Sequence, residues 1–450
     1  MTATTATTTV PTARAAVADT PAHRDGNVLR WLAAYTASMT GDSVYYIALS
    51  WAAVQSGTPA QAGIVMSVSA LPRALLMLGG GVIADRLGPR RVVIGSDAVR
   101  CATVLAVAAL LFLTSPGLWP LALLALVFGT VDAVFLPAVG ALPARVTSRG
   151  QLTRVQGMRG LGIRFAGVVG GPLGGLAVAV GGAATAFAFA GLLIAISVPL
   201  LVSVRIRELP ADDRNADAGT VRGEGAGGET VSGGDAGGGK ARAGDAVGTA
   251  WHDLRVGLRY IRRHRVLAPL MLAIALGDLG FVGPLNVGLT LLADERGWGA
   301  SGMGWVLGGF GAGAGLASLL LAVRGRVPHA GHVMAYACLG GAVAIGALAF
   351  VPGVVAAAGV ALLIGLLAGL SGALCGALLQ TQADPACLGR VTAVASLVSL
   401  GFAPLSMPLS AAAIGAWGTG PVFVTSAAVC GLGGVVVLSA RNLRRAELPT

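Results

Sequence analysis

The chain has 450 residues, 55% of them hydrophobic and only 11% charged, with a net charge of +11 and a mean hydropathy of +0.78. A soluble domain carries roughly twice that charged fraction, so a water-soluble fold is excluded. In lipid the backbone must satisfy itself, which leaves helices or closed barrels, and the apolar runs here are too long and continuous for barrel strands. Nucleic acid is excluded as a partner because the arginines fall in separate clusters between apolar runs and form no single patch.

In chain order, residues 1–28 are Thr/Ala-rich and lack the apolar core of a signal peptide, so they read as a disordered tail. About 20 apolar residues cross a bilayer as a helix. Twelve segments meet that need: 29–54, 61–84, 91–113, 119–143, 156–178, 183–204, 267–291, 300–323, 331–351, 354–379, 389–412 and 419–440. The fold class expected is therefore all-α integral membrane, with twelve transmembrane helices. The linker 205–265 divides six from six, giving an N-terminal bundle over 29–204, a C-terminal bundle over 266–440 and a short tail at 441–450. Runs such as GEGAGGE and SGGDAGGGK make most of the linker too polar and glycine-rich to fold alone.

Arginine gathers in alternate connections, at 14–30, 86–91, 145–154, 205–265, 324–326 and 441–445. The connections near 56–60, 114–119, 179–182, 352–354 and 413–420 carry no Lys or Arg, and only Arg296 breaks the alternation. That bias places both termini and the linker in the cytoplasm of a multi-pass cell-membrane protein. Near the end of the linker, about 250–263, Trp251, Leu254, Leu258 and Ile261 share one helical face, while Arg255, Arg259, Arg262 and Arg263 lie on or beside the other. Such a helix either lies on the anionic inner leaflet or packs beneath the second bundle.

Within the spans, charges are costly and usually functional. Asp42, Arg73, Asp132 and Asp278 each fall near mid-depth, and Arg100 does so with Asp97 one turn away, a spacing that favours a local structural pair. Small residues four apart, at Gly304/Gly308, Gly309/Gly313, Gly311/Gly315 and Gly167/Gly171, allow close helix contact. The five cysteines are scattered, the histidines fall in tails or loops, and no nucleophile–base set or phosphate-cradling loop is readable. No metal site, no cofactor and no enzyme activity are expected.

The hairpin between the second and third spans carries Gly81, Asp85, Arg86, Gly88, Arg90 and Arg91. This spacing resembles the signature loop of the major facilitator superfamily. The resemblance implies two six-helix bundles that alternate access to one central cavity, usually within a monomer. It also implies a gate in which Asp85 docks on the N-terminal end of the eleventh helix, near Gly389 and Arg390, with Arg86, Arg90 and Arg91 in support. A carboxylate at a helix N-terminus gains roughly 0.3–2 kcal/mol. Gln380, Pro385, Gly389-Arg390-Val391 and Phe135-Leu136-Pro137-Ala138 are similar to the multidrug and siderophore exporter branch. Gly167, Gly171, Pro172, Gly174 and Gly175 resemble an antiporter element, shortened to the single Leu173 between proline and glycine pair. That element is either a hinge or a plain kink.

In this family helices one, four, seven and ten line the cavity. The resemblance thus assigns Asp42, Tyr46, Asp132, Phe135, Asp278 and Phe281 to the substrate cavity. Asp42 or Asp132 becomes the proton-coupling carboxylate, with Arg73 displacing its proton, unless the three form a permanent clamp. An apolar wall with sparse charges suits an amphipathic small molecule. The function expected is proton-driven export of drug-like or secondary-metabolite molecules, with siderophore or small-nutrient transport as an alternative and a non-transporting membrane sensor as a third.

Overall fold

The computed structural model describes residues 21–114, 117–147, 151–205, 255–324, 327–384 and 387–446; the side chains at 74, 77–82, 84–85, 153, 400 and 403 also lie outside the described set. Long helices dominate: α1 Gly26–Ser56, α2 Pro59–Leu87, α3 Pro89–Leu113 and α4 Trp119–Ala141. Leu152–Ser203 is two helices joined at a kink, leaving helical geometry at Gly181 and Gly182, where φ reaches +74°. Its arms are two crossings, α5 before the break and α6 after it. The second half holds α7 Leu267–Glu295, α8 Gly299–Arg324, α9 Ala330–Leu348, α10 Val354–Gln382, α11 Leu388–Trp417 and α12 Thr419–Ser439.

Nine segments among the described residues are apolar and long enough to cross a membrane, and Arg154–Ser203 is one of them although it crosses twice. Adding α1 and α2, 31 and 29 residues or about 45 Å each, completes twelve. The protein is thus an all-helical, multi-pass membrane protein. An even number of crossings puts the start of α1 and the end of α12 on one face, called here the near face; α1 ends at the far face.

The two halves repeat one packing scheme. Close approaches pair α1 with α5 (Gly170 on Ser43) and α6 (Gly41 on Ile194), α2 with α4 (Gly129 on Ser69) and α3 with α6 (Gly191 on Leu105). The same pairs displaced by six recur: α7 with α11 (Gly283 on Ser406) and α12 (Gly280 on Ser426), α8 with α10 (Gly313 on Leu362) and α9 with α12 (Gly434 on Leu339). Two parallel structural repeats account for this.

Between bundles, the described contacts run from mid-depth to the far face. Gly63 of α2 sits on Ala411 of α11, and a β-carbon on it would fall 2.5 Å from that methyl. The Ser50 and Thr290 hydroxyls are 2.5 Å apart, and Gln55 donates to Asp294 at 2.7 Å. Apolar side chains of both halves, among them Val44, Leu49, Val287, Met407 and Ile414, form one core there. Dispersion and excluded backbone hold this seam, since lipid supplies no hydrophobic drive between helices.

The short helix at 255–263 settles against the second bundle. Ile261 is buried among Leu378, Val391 and Leu443, and Gly257 lies against Arg390. Arg255, Arg259, Arg262 and Arg263 point outward. Trp251 and Leu254 lie outside the described residues.

Candidate functional site

The mid-depth charges of the first bundle converge on Arg100, which is fully buried. Its guanidinium donates to Asp97 at 2.5 Å, Asp42 at 2.8 Å and Asp132 at 3.4 Å. Arg73 of α2 donates to the other oxygen of Asp132 at 2.6 Å and to the Tyr46 hydroxyl. Ser38 and Ser197 donate to Asp97 at 3.1 and 2.5 Å. Phe135 closes the cluster from below, its ring 3.9 Å from the Arg100 guanidinium carbon. Five helices therefore hold one polar knot inside an apolar bundle.

The charge balance of that knot matters more than any single pair. With all groups ionised, Asp42, Asp97 and Asp132 face Arg73 and Arg100, leaving one negative charge in excess. A single proton brings the set to neutrality. Oδ1 of Asp42 is buried and meets no protein donor. Asp97 differs from the other two carboxylates, because both of its oxygens accept from serines and Arg100 and it is 1% exposed. The i,i+3 pair expected of Asp97 and Arg100 is present, but Arg100 also serves as hub for two further helices, which spacing along one helix does not reveal.

Two chambers are described, and the smaller adjoins the knot through Tyr46. The smaller, about 310 Å³, sits between the bundles and is lined by Ser43, Tyr46, Gly167, Asn286 and Phe310, with Arg164 at its wall. Tyr46 connects this chamber to Arg73 and thence to Asp132. Asn286 belongs to a π-helical turn at Pro284–Gly288, a widening that proline's missing N–H permits and that recurs at functional sites.

The larger chamber, about 720 Å³, is carved mainly from α7, α9, α10 and α11, with Leu136 of α4 as its contribution from the first bundle. Asp278, Phe281 and Gln380 line it. Phe281 and Phe310 approach to 5.7 Å between ring centroids, one ring in each chamber's wall, so the pair partitions them.

Of the six cavity residues named from sequence, then, Asp278 and Phe281 face the large chamber and Tyr46 the small one. Asp42 and Asp132 stand behind Tyr46 and Arg73 in the knot. Phe135 turns into the core, 2% exposed, and its neighbour Leu136 takes the cavity face. The contribution of α9 and α11 to the large chamber went unread in sequence, because alanine, serine and cysteine carry no signature there.

The antiporter-like stretch lies on the seam with α8. A β-carbon on Gly171 would come 2.9 Å from the Gly304 carbonyl, and one on Gly175 would come 2.4 Å from that of Ala300. Pro172 abuts Gly308, Gly167 backs Gly311, and Gly174 faces α1 at Ile47. Helical dihedrals continue through Pro172, and the break falls later, at Gly181 and Gly182.

At the hairpin, α2 stops at Leu87, Gly88 turns the chain at φ +85° and Pro89 opens α3. A one-residue reversal at positive φ suits glycine alone. Arg90 donates to the Val202 carbonyl at 2.5 Å, tying α3 to the end of α6, while Arg86 and Arg91 are exposed. The side chains at Gly81 and Asp85, and Pro385 and Ala386 whole, lie outside the described residues, as does any contact between them. Gly389 and Arg390 are exposed at the start of α11.

Residues 31–403 match the sequence profile of the Major Facilitator Superfamily, and the chain belongs to that family. It is a membrane transporter by fold and family, of the kind that moves small molecules, and not an enzyme. Solved structures with the same fold include a variant of the nucleoside transporter NupG (TM-score 0.67, 13% identity, 92% of this chain and 100% of that one). A peptide transporter POT in complex with sulfate matches at TM-score 0.65 and 13% identity, over 96% and 98% of the two chains. A bacterial homolog of the human lysosomal transporter Spinster, inward-facing and unoccupied, matches at 0.59 and 13%, over 94% and 96%. No curated protein sequence matches significantly.

Proposed function

We propose that this transporter exports amphipathic small molecules, drugs or secondary metabolites, across the cell membrane in exchange for protons. The observation that carries the reading is the buried knot of three carboxylates and two guanidiniums, linked by Tyr46 to a chamber between the bundles. Its excess charge gives one proton a place, and Asp132 or Asp42 accepts it. When Arg73 moves off Asp132, the balance shifts from the ion pair to the protonated acid, and its return displaces the proton. Asp97, saturated by serines, anchors Arg100.

Loss of the far-face seam opens the opposite path. In that state Asp85 docks on the start of α11 and closes the near face, which the positive-inside bias makes cytoplasmic. The glycine seam of α5 and α8 is the surface over which the bundles rock. One chain encloses both chambers, so a monomer suffices.

Efflux of a compound panel from cells and proteoliposomes, with and without a protonophore, tests this reading in wild type, Asp42→Asn and Asp132→Asn. Loss of gradient-driven efflux in one variant, with exchange across equal pH retained, is expected. Unchanged coupling in both variants ends the proposal, and gradient-driven uptake in place of efflux favours siderophore or nutrient import.

A further inference from the structure

Asp278 stands apart from every other mid-depth carboxylate described. Asp42, Asp97 and Asp132 each touch a guanidinium. Asp278 lines the large chamber, where no Arg, Lys or His appears among the described lining residues. Its Oδ2 is buried and meets no donor among the described residues. An ionised carboxylate in an apolar wall is costly unless something of opposite charge meets it. Among the described residues nothing does. A proton or the positive group of a ligand would meet that need.

The rest of the chamber describes that ligand's body. Ile274, Phe281, Ile345 and Leu367 make the wall predominantly apolar, and the volume of about 720 Å³ lies within the range for a drug-sized molecule. Among the hydroxyls, Ser371 is engaged with the Cys338 thiol at 3.0 Å. Thr392, Ser396 and Gln380 offer few polar groups to a polyol in so apolar a wall, and an anion would meet repulsion from Asp278. Phe281, one helical turn from Asp278, adds a ring face to which a cation is attracted.

We infer that the large chamber binds lipophilic organic monocations, protonated amines in particular, with the ammonium group on Asp278 and the apolar body against Phe281 and the α9–α10 wall. This deepens the export reading, on which it rests for the chamber's role as the transport site. It also divides the labour between halves: the first bundle handles the proton and the second handles the charge of the cargo.

The chamber contains its own reporters, because Cys338 and Cys375 line it. The purified full chain in lipid nanodiscs is titrated with a diphenylalkyl dimethylamine, its neutral dimethylamide and the matching carboxylate. Protection of Cys338 and Cys375 from a small maleimide is read by mass spectrometry, with no gradient present. A charge-assisted contact predicts half-protection by the amine at a concentration at least about tenfold below that of the amide. Asp278→Glu keeps that preference. Asp278→Asn abolishes it while leaving protection by the amide unchanged, which shows that the variant is folded. The wild-type comparison stands even if Asp278→Asn fails to fold.

Equal protection by amine and amide, preference for the carboxylate, protection by none of the three, or an amine preference that survives in Asp278→Asn each overturns the inference. Because binding is read at equilibrium, a failure of proton-driven export with the amine preference intact sinks the export reading alone. The reverse result sinks only the amine.

Discussion

The two bundles share one packing scheme yet treat their buried carboxylates in opposite ways. In the first, Arg100 is wrapped by Asp42, Asp97 and Asp132, with Arg73 closing the ring. In the second, Asp278 faces a chamber whose described lining contains no cation. Repeated architecture therefore does not repeat electrostatics. A network one charge short of balance responds to a single proton, whereas a carboxylate with no cation among its described neighbours is suited to a partner from outside. Charge stoichiometry, more than the depth of any one residue, separates a coupling site from a recognition site.

The largest effect is expected from breaking the hub. Arg100→Met leaves three carboxylates around Arg73 alone, and removing one partner of a buried pair costs about 3–5 kcal/mol. Thermal unfolding of the purified protein should show a marked loss, with Asp97→Asn in the Arg100→Met background restoring part of it. An unchanged melting profile would mean that the knot contributes nothing to stability.

Next in size is Asp132→Asn, which uncouples Arg73 from the network. Gradient-driven efflux is expected to fall by at least about tenfold while exchange at equal pH persists, a separation of coupling from binding measured in proteoliposomes. Tyr46→Phe removes only the acceptor that joins Arg73 to the small chamber, so a milder loss of the same kind is expected.

A third variant addresses the seam rather than the charges. Gly304→Val adds a β-carbon at a point 2.5 Å from the Gly171 carbonyl oxygen, so the bundles cannot close at the far face. Transport should be lost while each bundle keeps its own packing. Accessibility of an introduced cysteine at position 47 to a membrane-impermeant thiol reagent, applied from the far side, should rise.

The smallest effect belongs to Gln55→Ala, which deletes one exposed bond to Asp294. A net hydrogen bond contributes about 0.5–1.5 kcal/mol. A shift of a few-fold at most in far-face accessibility is expected, without loss of transport. A complete block would show that the far-face latch is dominated by this bond and not by the glycine seam.

Much of the architecture was legible in the order of residues alone. Hydropathy located the spans closely, down to the second-half helices at 354–382 and 419–439, because a segment in lipid has no alternative to a helix. The separation of α5 from α6 was legible near 179–182, while its break at Gly181 and Gly182 and the one-residue turn at Gly88 came from the structure. Charges at mid-depth announced themselves by their cost. What spacing along single helices could not supply was convergence: Arg100 reads as Asp97's partner until α1 and α4 bring Asp42 and Asp132 to its other edge. Phe135 and Leu136 are neighbours in sequence with equal claim to the cavity, and helix rotation alone sent one to the core and one to the chamber.

The amino-acid sequence by itself determined that this chain crosses a membrane a dozen times, with the start of the first span and the end of the last on one face, because apolar length and a self-satisfied backbone allow little else. The tertiary structure decided which charges meet. Coulomb energy and desolvation depend on distances across helices that are far apart in the chain, and only the packed bundles bring three carboxylates to two arginines while leaving a fourth with no cation among its described neighbours.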